Sequence, residues 1–277
     1  MQDFDQYKPF YWKDGLEFKY RGKTIRVPNY ACAGITSAMT LKLLNKFDLS
    51  SMQHNSIEAL HLYISAARMA YADRFEYIAD PEFADVPWQG LISDTYTDRR
   101  SNEIGVNCPS QFNPGNPWIE EGRDPKFVLE SSKPRPDSGT THLTVVDGEG
   151  NAVSITNTIM SGFGSGIIPK GTGIVMNNGM MWYDPIPGRV NSIAPGKYPL
   201  NNMTPALVLG KDGVEIAVGA SGGRRITNCV TSLLSKMIDF ELNPQEAIDA
   251  PRVDLSLIHI SEPTRRTPIS YAVFCLK

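Results

Sequence analysis

Long apolar runs are missing from this 277-residue chain: none reaches the roughly 18–20 residues that cross a bilayer. That excludes a membrane-spanning helix within it. A basic stripe is missing too. The 27 Lys and Arg are scattered among 30 Asp and Glu, for a net charge of −3, which speaks against a nucleic-acid partner. Histidine is scarce, and His54, His61, His142 and His259 make no HExxH or paired-ligand pattern. The four cysteines, Cys32, Cys108, Cys229 and Cys275, have neither CxxC nor metal-ligand spacing. Buried or free thiols are therefore expected, and neither a metal site nor a cofactor. The opening residues Met1–Asp5 are acidic and lack an apolar core, so no signal peptide is expected within the chain. A cytoplasmic and a periplasmic or extracellular location both stay open. What is present is ordinary for a soluble globular protein: 41% hydrophobic and 21% charged residues, enough for one large domain or two small ones.

Periodicity places the elements. Phe18, Tyr20, Ile25 and Val27 flank Arg21-Gly22-Lys23, which predicts a β-hairpin over 16–28. Ile35, Met39, Leu43 and Leu44 share a helical stripe over 34–46. A longer helix is predicted from Ser56, its N-cap, to about Phe75, with Ile57, Leu60, Ile64, Ala67, Met69 and Tyr71 in the pattern. His61 lies in it and reads as structural. Asp80-Pro81 ends the pattern, Trp88–Leu91 reads as a docking turn, and Ser93 caps a short helix over 94–103. Further on, Gly173–Met176 reads as a short strand before Asn177-Asn178-Gly179, and four prolines mark a loop over 184–203. Residues 204–210 and 214–220 pair about Lys211-Asp212-Gly213. A helix over about 225–240 turns Ile226, Val230, Leu233, Leu234 and Met237 inward, and Asn243-Pro244 opens a last helix to about Ala250. The tail 257–277 has no amphipathic period that fits what precedes it. It resembles translated sequencing-adapter read-through and is left out of the fold, with His259 and Cys275 set aside as site residues.

The middle of the chain holds the chemistry. From about Gly105 to Gly139 the sequence is Pro-rich and poor in apolar clusters. Composition favours a linker; the sharper alternative is a segment that covers an active site until cleavage frees it. At Gly139-Thr140-Thr141-His142 it gives way to β-rich sequence. Residues 140–147 and 151–158 flank Gly148-Glu149-Gly150, a three-residue hairpin loop. If Asp147 faces Asn151, Thr140 lies opposite Thr158, where two hydroxyls can bond. A threonine hydroxyl is a weak nucleophile without a base beside it. At a chain N-terminus its own α-amine, with an ordinary pKa near 8, supplies that base. Attack of Thr140 Oγ1 on the Gly139 carbonyl, followed by hydrolysis of the ester, would create that N-terminus. Acyl transfer also needs oxyanion donors. Ser221-Gly222-Gly223 lies between a predicted strand and helix, where backbone N–H groups are available.

These segments occur in a recognisable order. Gly139-Thr140-Thr141-His142, Asp147–Val153, Asn177-Asn178, Pro199-Leu200-Asn201-Asn202-Met203-Thr204-Pro205 and Gly219–Gly223 together resemble the γ-glutamyltransferase (glutathione hydrolase) family across about residues 5–254. The resemblance implies an α+β fold, the αββα four-layer sandwich of the N-terminal-nucleophile hydrolases, incomplete at both ends in this chain. It implies a proenzyme that cleaves itself between Gly139 and Thr140. Residues 1–139 would then be the C-terminal part of the large subunit, with 105–139 the pre-cleavage segment, and 140–256 the N-terminal part of the small subunit. Thr140 is the implied nucleophile, Thr158 its supporting hydroxyl, Gly222 and Gly223 the oxyanion hole, and Asn201 and Asn202 substrate-binding residues. The expected partners are a small amide or γ-glutamyl substrate and the chain's own cleaved subunit.

The resemblance weakens where a glutamyl group would be gripped. The family's Asn, Gln or Glu, and Asp positions hold Met160, Gly179 and Trp182, and its paired serines are Asn201 and Asn202. Trp182 cannot replace a carboxylate that would hold an α-ammonium. The run 177–185 looks more like the family's amidohydrolase-like branch, which includes an oxamate amidohydrolase. The expected function is amide cleavage through an acyl-enzyme on Thr140, of a γ-glutamyl or related bond. The alternatives are an oxamate-type amidohydrolase without γ-glutamyl specificity, or an inactive truncated member. One rival mechanism exists: Gly219–Gly223 also fits the G-x-S-x-G nucleophile elbow with Ser221. That mechanism needs a later histidine, and His259 in the tail is the only one.

Overall fold

The computed structural model describes residues 14–29, 31–106, 109, 112–123, 139–255, 260–261 and 271–275. Strands β1 (Leu16–Tyr20) and β2 (Lys23–Val27) form the expected hairpin. Arg21 and Gly22 turn it with φ of 49° and 78°, the double positive φ that matches strand twist. β2 continues to β5 (Ala206–Leu209), β5 to β6 (Val214–Ala220) and β6 to β9 (Tyr271–Cys275), all antiparallel. A short pair, β7 (Asp254–Leu255) and β8 (Ile260–Ser261), stands apart. Within the tail set aside from the fold, Tyr271–Cys275 pairs with the edge of β6. Its Tyr, Val and Phe suit a strand, and the β6 edge offers a row of backbone partners.

Helix α1 (Gly34–Leu44) is buried on nearly all sides, between α2 (Ile57–Tyr77), α5 (Arg225–Asp239) and β1. The Ser56 hydroxyl caps α2 by accepting from Ala59 N at 3.2 Å. Ser93 does the same for α4 (Asp94–Ser101), accepting from Tyr96 N at 3.0 Å. Trp88–Ile92, expected as a turn, is a five-residue helix, α3. Helix α6 (Pro244–Asp249) opens on a capping box between Asn243 and Glu246. At the far end of α5, Asp239 accepts from Tyr20 Oη, from Arg21 Nε at 2.7 Å and from Ser235 Oγ at 2.6 Å. This ties the helix layer to the first hairpin.

The second sheet is the hairpin of β3 (Thr140–Val146) and β4 (Ala152–Thr158), packed on β6 and β9. Its inward face carries the buried His142 and Thr144, while Leu143, Val145, Val153 and Ile155 on the outer face are 46–54% exposed. The described layers are therefore helices, sheet and sheet. Gly173–Met176, expected as a strand, is loop. Its backbone bonds there are Ser165 N to Met176 O and Met176 N to Ile167 O, each 2.9 Å, and Ile174 is half exposed. β-propensity without a partner strand does not make a strand. Within the Pro-rich stretch, Pro117–Glu121 forms a 3₁₀ turn capped by Asn116; residues 124–138 of the expected pre-cleavage segment lie outside the described residues, as do Cys108 and His259. Among the described residues no helix is long and apolar enough to cross a membrane.

Candidate active site

The hairpin register follows from its turn. Asp147 Oδ1 accepts from Glu149 N and Asn151 N at 2.9 Å each, and Asn151 Nδ2 donates to Oδ2 at 2.8 Å. The Asn151 side chain holds the Asp147 carboxyl below its ordinary pKa. Gly150, with φ of 84°, completes the loop. From there the pairs run Val146–Ala152, Thr144–Ser154 and His142–Thr156 to Thr140–Thr158. The two threonine hydroxyls meet at 2.9 Å.

Three groups converge beside that pair. Thr158 Oγ1 accepts from Met160 N at 2.9 Å and lies 3.3 Å from the Gly139 carbonyl oxygen, to which it can donate. Ile159 N donates to the same oxygen at 3.2 Å. The carbonyl next to the Thr140 hydroxyl is thus polarised by two donors. Gly139 has φ of 116°, and a Cβ there would lie 2.6 Å from Ser161 O. Only glycine fits, because the 159–161 turn closes over it. Met160 in that turn is 1% exposed with φ of 75°, a left-handed conformation unusual for a non-glycine residue. Asn178 fastens the next loop here, N to Ile159 O at 3.0 Å and Nδ2 to Ser161 Oγ at 3.0 Å. Gly179 and Trp182 follow in a 3₁₀ turn, and a Cβ on Gly179 would meet the Trp182 ring at 3.3 Å. The positions singled out as departures, Met160, Gly179 and Trp182, therefore belong to segments tied to the Thr140 end of the hairpin.

Gly222 and Gly223 take φ of 125° and 60° between β6 and α5. Arg225 N and Ile226 N bond back to their carbonyls at 3.2 and 3.1 Å. Their own N–H groups have no hydrogen-bond partner among the described residues, as expected at a helix start. Two contacts orient β6 against the hairpin. Ser154 Oγ donates to Val218 O at 3.0 Å, and Gly219 abuts His142, the partner of Thr156. Moving along β4 towards Thr158 therefore moves along β6 towards Gly222, so both lie towards the same end of the two sheets.

Asn201 and Asn202 are held from the other side. Asn201 spends its amide within the loop: Oδ1 accepts from Met203 N at 3.0 Å and Nδ2 contacts Cys32 Sγ at 3.3 Å. Asn202 Oδ1 accepts from Arg74 Nη2 at 3.3 Å, and the same nitrogen donates to Asn201 O at 2.7 Å. Arg74 is buried, and no carboxylate among the described residues pairs with it. Burial pushes it down to about 10. Sequence gave no hint of this arginine, because an Arg at one helical position says nothing about a loop 127 residues away. Ser221 sits in the strand-to-helix position that an elbow requires. Among the described histidines none follows it.

Comparison with known proteins shows the family and the fold. The family model described as gamma-glutamyltranspeptidase matches residues 1–266. The glutathione hydrolase proenzyme of Bacillus subtilis (strain 168) is 34% identical over 237 residues, 84% of this chain and 40% of that protein. The acylase ACY 1 proenzyme of Pseudomonas sp. (strain SE83) is 34% identical over 242 residues, 87% of this chain and 40% of that protein. The crystal structure of cephalosporin acylase from Bacillus halodurans superposes with a TM-score of 0.77 at 28% identity, covering 91% of this chain and 42% of that one. The chain thus spans about 40% of the length of the curated relatives it matches. The α+β fold is that of the N-terminal-nucleophile hydrolases. On the family match across 266 residues, this chain belongs to the γ-glutamyltranspeptidase family of amide hydrolases and acyltransferases.

Proposed function

We propose that Gly139–Thr140 is a self-cleavage junction and that Thr140, once N-terminal, is the nucleophile of an amide hydrolase or acyltransferase. The observation that carries this is the Thr140–Thr158 hydroxyl pair, 2.9 Å apart, beside a Gly139 carbonyl that accepts from Ile159 N. In the first step Thr140 Oγ1 attacks the Gly139 carbonyl carbon. The Ile159 N–H and the Thr158 hydroxyl steady the developing oxyanion. The Gly139–Thr140 C–N bond breaks, an ester to Oγ1 forms, and the hydroxyl proton ends on the leaving α-nitrogen. Water then opens the ester, leaving a Gly139 carboxylate and a free Thr140 amine. Residues up to Gly139 and from Thr140 onward become two subunits that stay together as a heterodimer. The tie between Arg74 and the Asn201–Asn202 loop supports their staying associated.

The freed amine serves as the base for Thr140 Oγ1 when it attacks a substrate amide. Gly222 and Gly223 N–H stabilise that oxyanion, and their lack of other partners among the described residues supports the role. The amine product leaves, and water or an acceptor amine releases the acyl group. Because Asn201 uses its amide internally, Asn202 Nδ2 is the remaining side-chain donor of that loop for substrate. The substrate acyl group is γ-glutamyl or related. Met160, Gly179 and Trp182 supply no carboxylate for an α-ammonium, and this favours a simpler acyl group of the oxamate type.

Pulse-labelled protein on a denaturing gel tests the reading. The wild type splits at 139/140, Thr140→Ser splits, and Thr140→Ala stays whole. An uncut, folded wild type, or cleavage that persists in Thr140→Ala, refutes it. Release of amine or ammonia from γ-glutamyl amides and from oxamate separates the substrate arms, and brisk glutathione hydrolysis would overturn the oxamate-type reading.

A further inference from the structure

Residues Ile216–Ala220 of β6 are all buried, and in their midst stands a glycine, Gly219. A Cβ at this position would lie inside the His142 imidazole, against Cε1, Nδ1 and Nε2. The ring is pressed onto bare backbone. Hydroxyls surround its edge: Thr156 Oγ1 lies 2.9 Å from Nδ1, and Thr144 Oγ1 and Ser154 Oγ lie 3.2 and 3.5 Å from Nε2. Ser154 gives its proton to Val218 O, so towards the ring it can only accept. Both ring nitrogens thus face threonine hydroxyls that can complete a neutral ring, Thr156 at Nδ1 and Thr144 at Nε2. Among the described residues no charged side chain bonds to the ring, and burial holds it neutral.

We propose that His142 is a positioning residue, whose ring in the Gly219 hollow sets the spacing and register of the nucleophile hairpin over β6. The inference rests on the reading of Thr140 as nucleophile. His142 lies two residues from Thr140, and Gly219 lies three from Gly222. At about 3.3 Å per residue, a displacement at this contact reaches the reacting hydroxyl and the proposed oxyanion donors with little slack. A misplacement of about 1 Å at a reacting centre costs on the order of 10²-fold in rate.

The test measures self-cleavage half-times on pulse-labelled full chain, with thermal midpoints of the same variants. Gly219→Ala, which drives a methyl into the ring, slows cleavage on the order of 100-fold. Adding His142→Ala to Gly219→Ala makes room for that methyl and recovers at least about tenfold of the loss, a rescue that mere loss of stability would not produce. His142→Ala alone slows cleavage but leaves the shape of its pH profile between 6 and 9 unchanged, because a neutral spacer supplies no proton. A cut wild type with Gly219→Ala cleaving at the wild-type rate, additive losses in the double variant, or a profile that loses a limb in His142→Ala, overturns this inference alone. A folded wild type that is never cut overturns the reading of Thr140 and this inference with it.

Discussion

Thr158→Val is the sharpest single perturbation of the proposed site. Valine keeps the shape and the β-branched preference of the strand and removes one hydroxyl. That hydroxyl has three contacts: Thr140 Oγ1 at 2.9 Å, Met160 N at 2.9 Å and Gly139 O at 3.3 Å. Two separate losses follow. For stability, Met160 N–H loses its acceptor at a residue 1% exposed, and an unsatisfied buried donor costs about 1–3 kcal/mol. For the reaction, the Gly139 oxyanion loses one of two donors, and Thr140 Oγ1 loses the group that orients it. Removal of one oxyanion donor costs about 10²–10³ in rate, about 2.7–4 kcal/mol. Thr158→Ser restores the hydroxyl without the methyl and is expected within about tenfold of wild type. The assay is the cleavage half-time of pulse-labelled protein, with a urea titration to read stability separately. A folded Thr158→Val that splits with the wild-type half-time would refute the role given to the hydroxyl pair.

Other perturbations probe the frame around that pair. Gly139→Ala must hold φ near 116° against Ser161 O and is expected to lose about 1–3 kcal/mol of stability and to cleave more slowly; unchanged urea midpoint and half-time would contradict the packing described. Burial pushes His142 down to about 4, so between pH 6.5 and 4 the unfolded chain binds a proton that the folded chain refuses. Its contribution to stability is therefore complete above pH 6.5 and falls by up to about 3 kcal/mol as pH drops through that window; comparing urea midpoints of wild type and His142→Gln at pH 7 and 4.5 isolates it, and parallel losses in both would count against it. Asp239→Ala strands Tyr20, Arg21 and Ser235 and should cost about 3–5 kcal/mol in denaturant, whereas a loss below 1 kcal/mol would show that water replaces the carboxylate at no penalty.

Much of the frame was legible because it is written in local patterns. Ser56, Ser93 and Asn243 announced their helices, since a cap is a bond between near neighbours. The Asp147–Asn151 turn gave the pairing of Thr140 with Thr158, because a hairpin's register follows from its loop. Where a pattern needs a distant partner, local reading does not reach it. Gly173–Met176 has strand propensity but is loop, and the pairing of Tyr271–Cys275 with the edge of β6 is visible only in the fold.

By itself, then, the amino-acid sequence determined the hairpin that carries Thr140, the glycine before it, the glycines between β6 and α5, and through them the family. Only the tertiary structure decided what surrounds them. It brought the 159–161 turn over Gly139, put the His142 ring into the hollow of Gly219, and set Arg74 under the Asn201–Asn202 loop. Those contacts join residues 22, 77 and 127 positions apart. No periodicity spans such distances. They exist because packing two sheets and a helix layer leaves one shape for each gap, and the residue that fills it is chosen by volume and hydrogen bonding rather than by its neighbours in the chain.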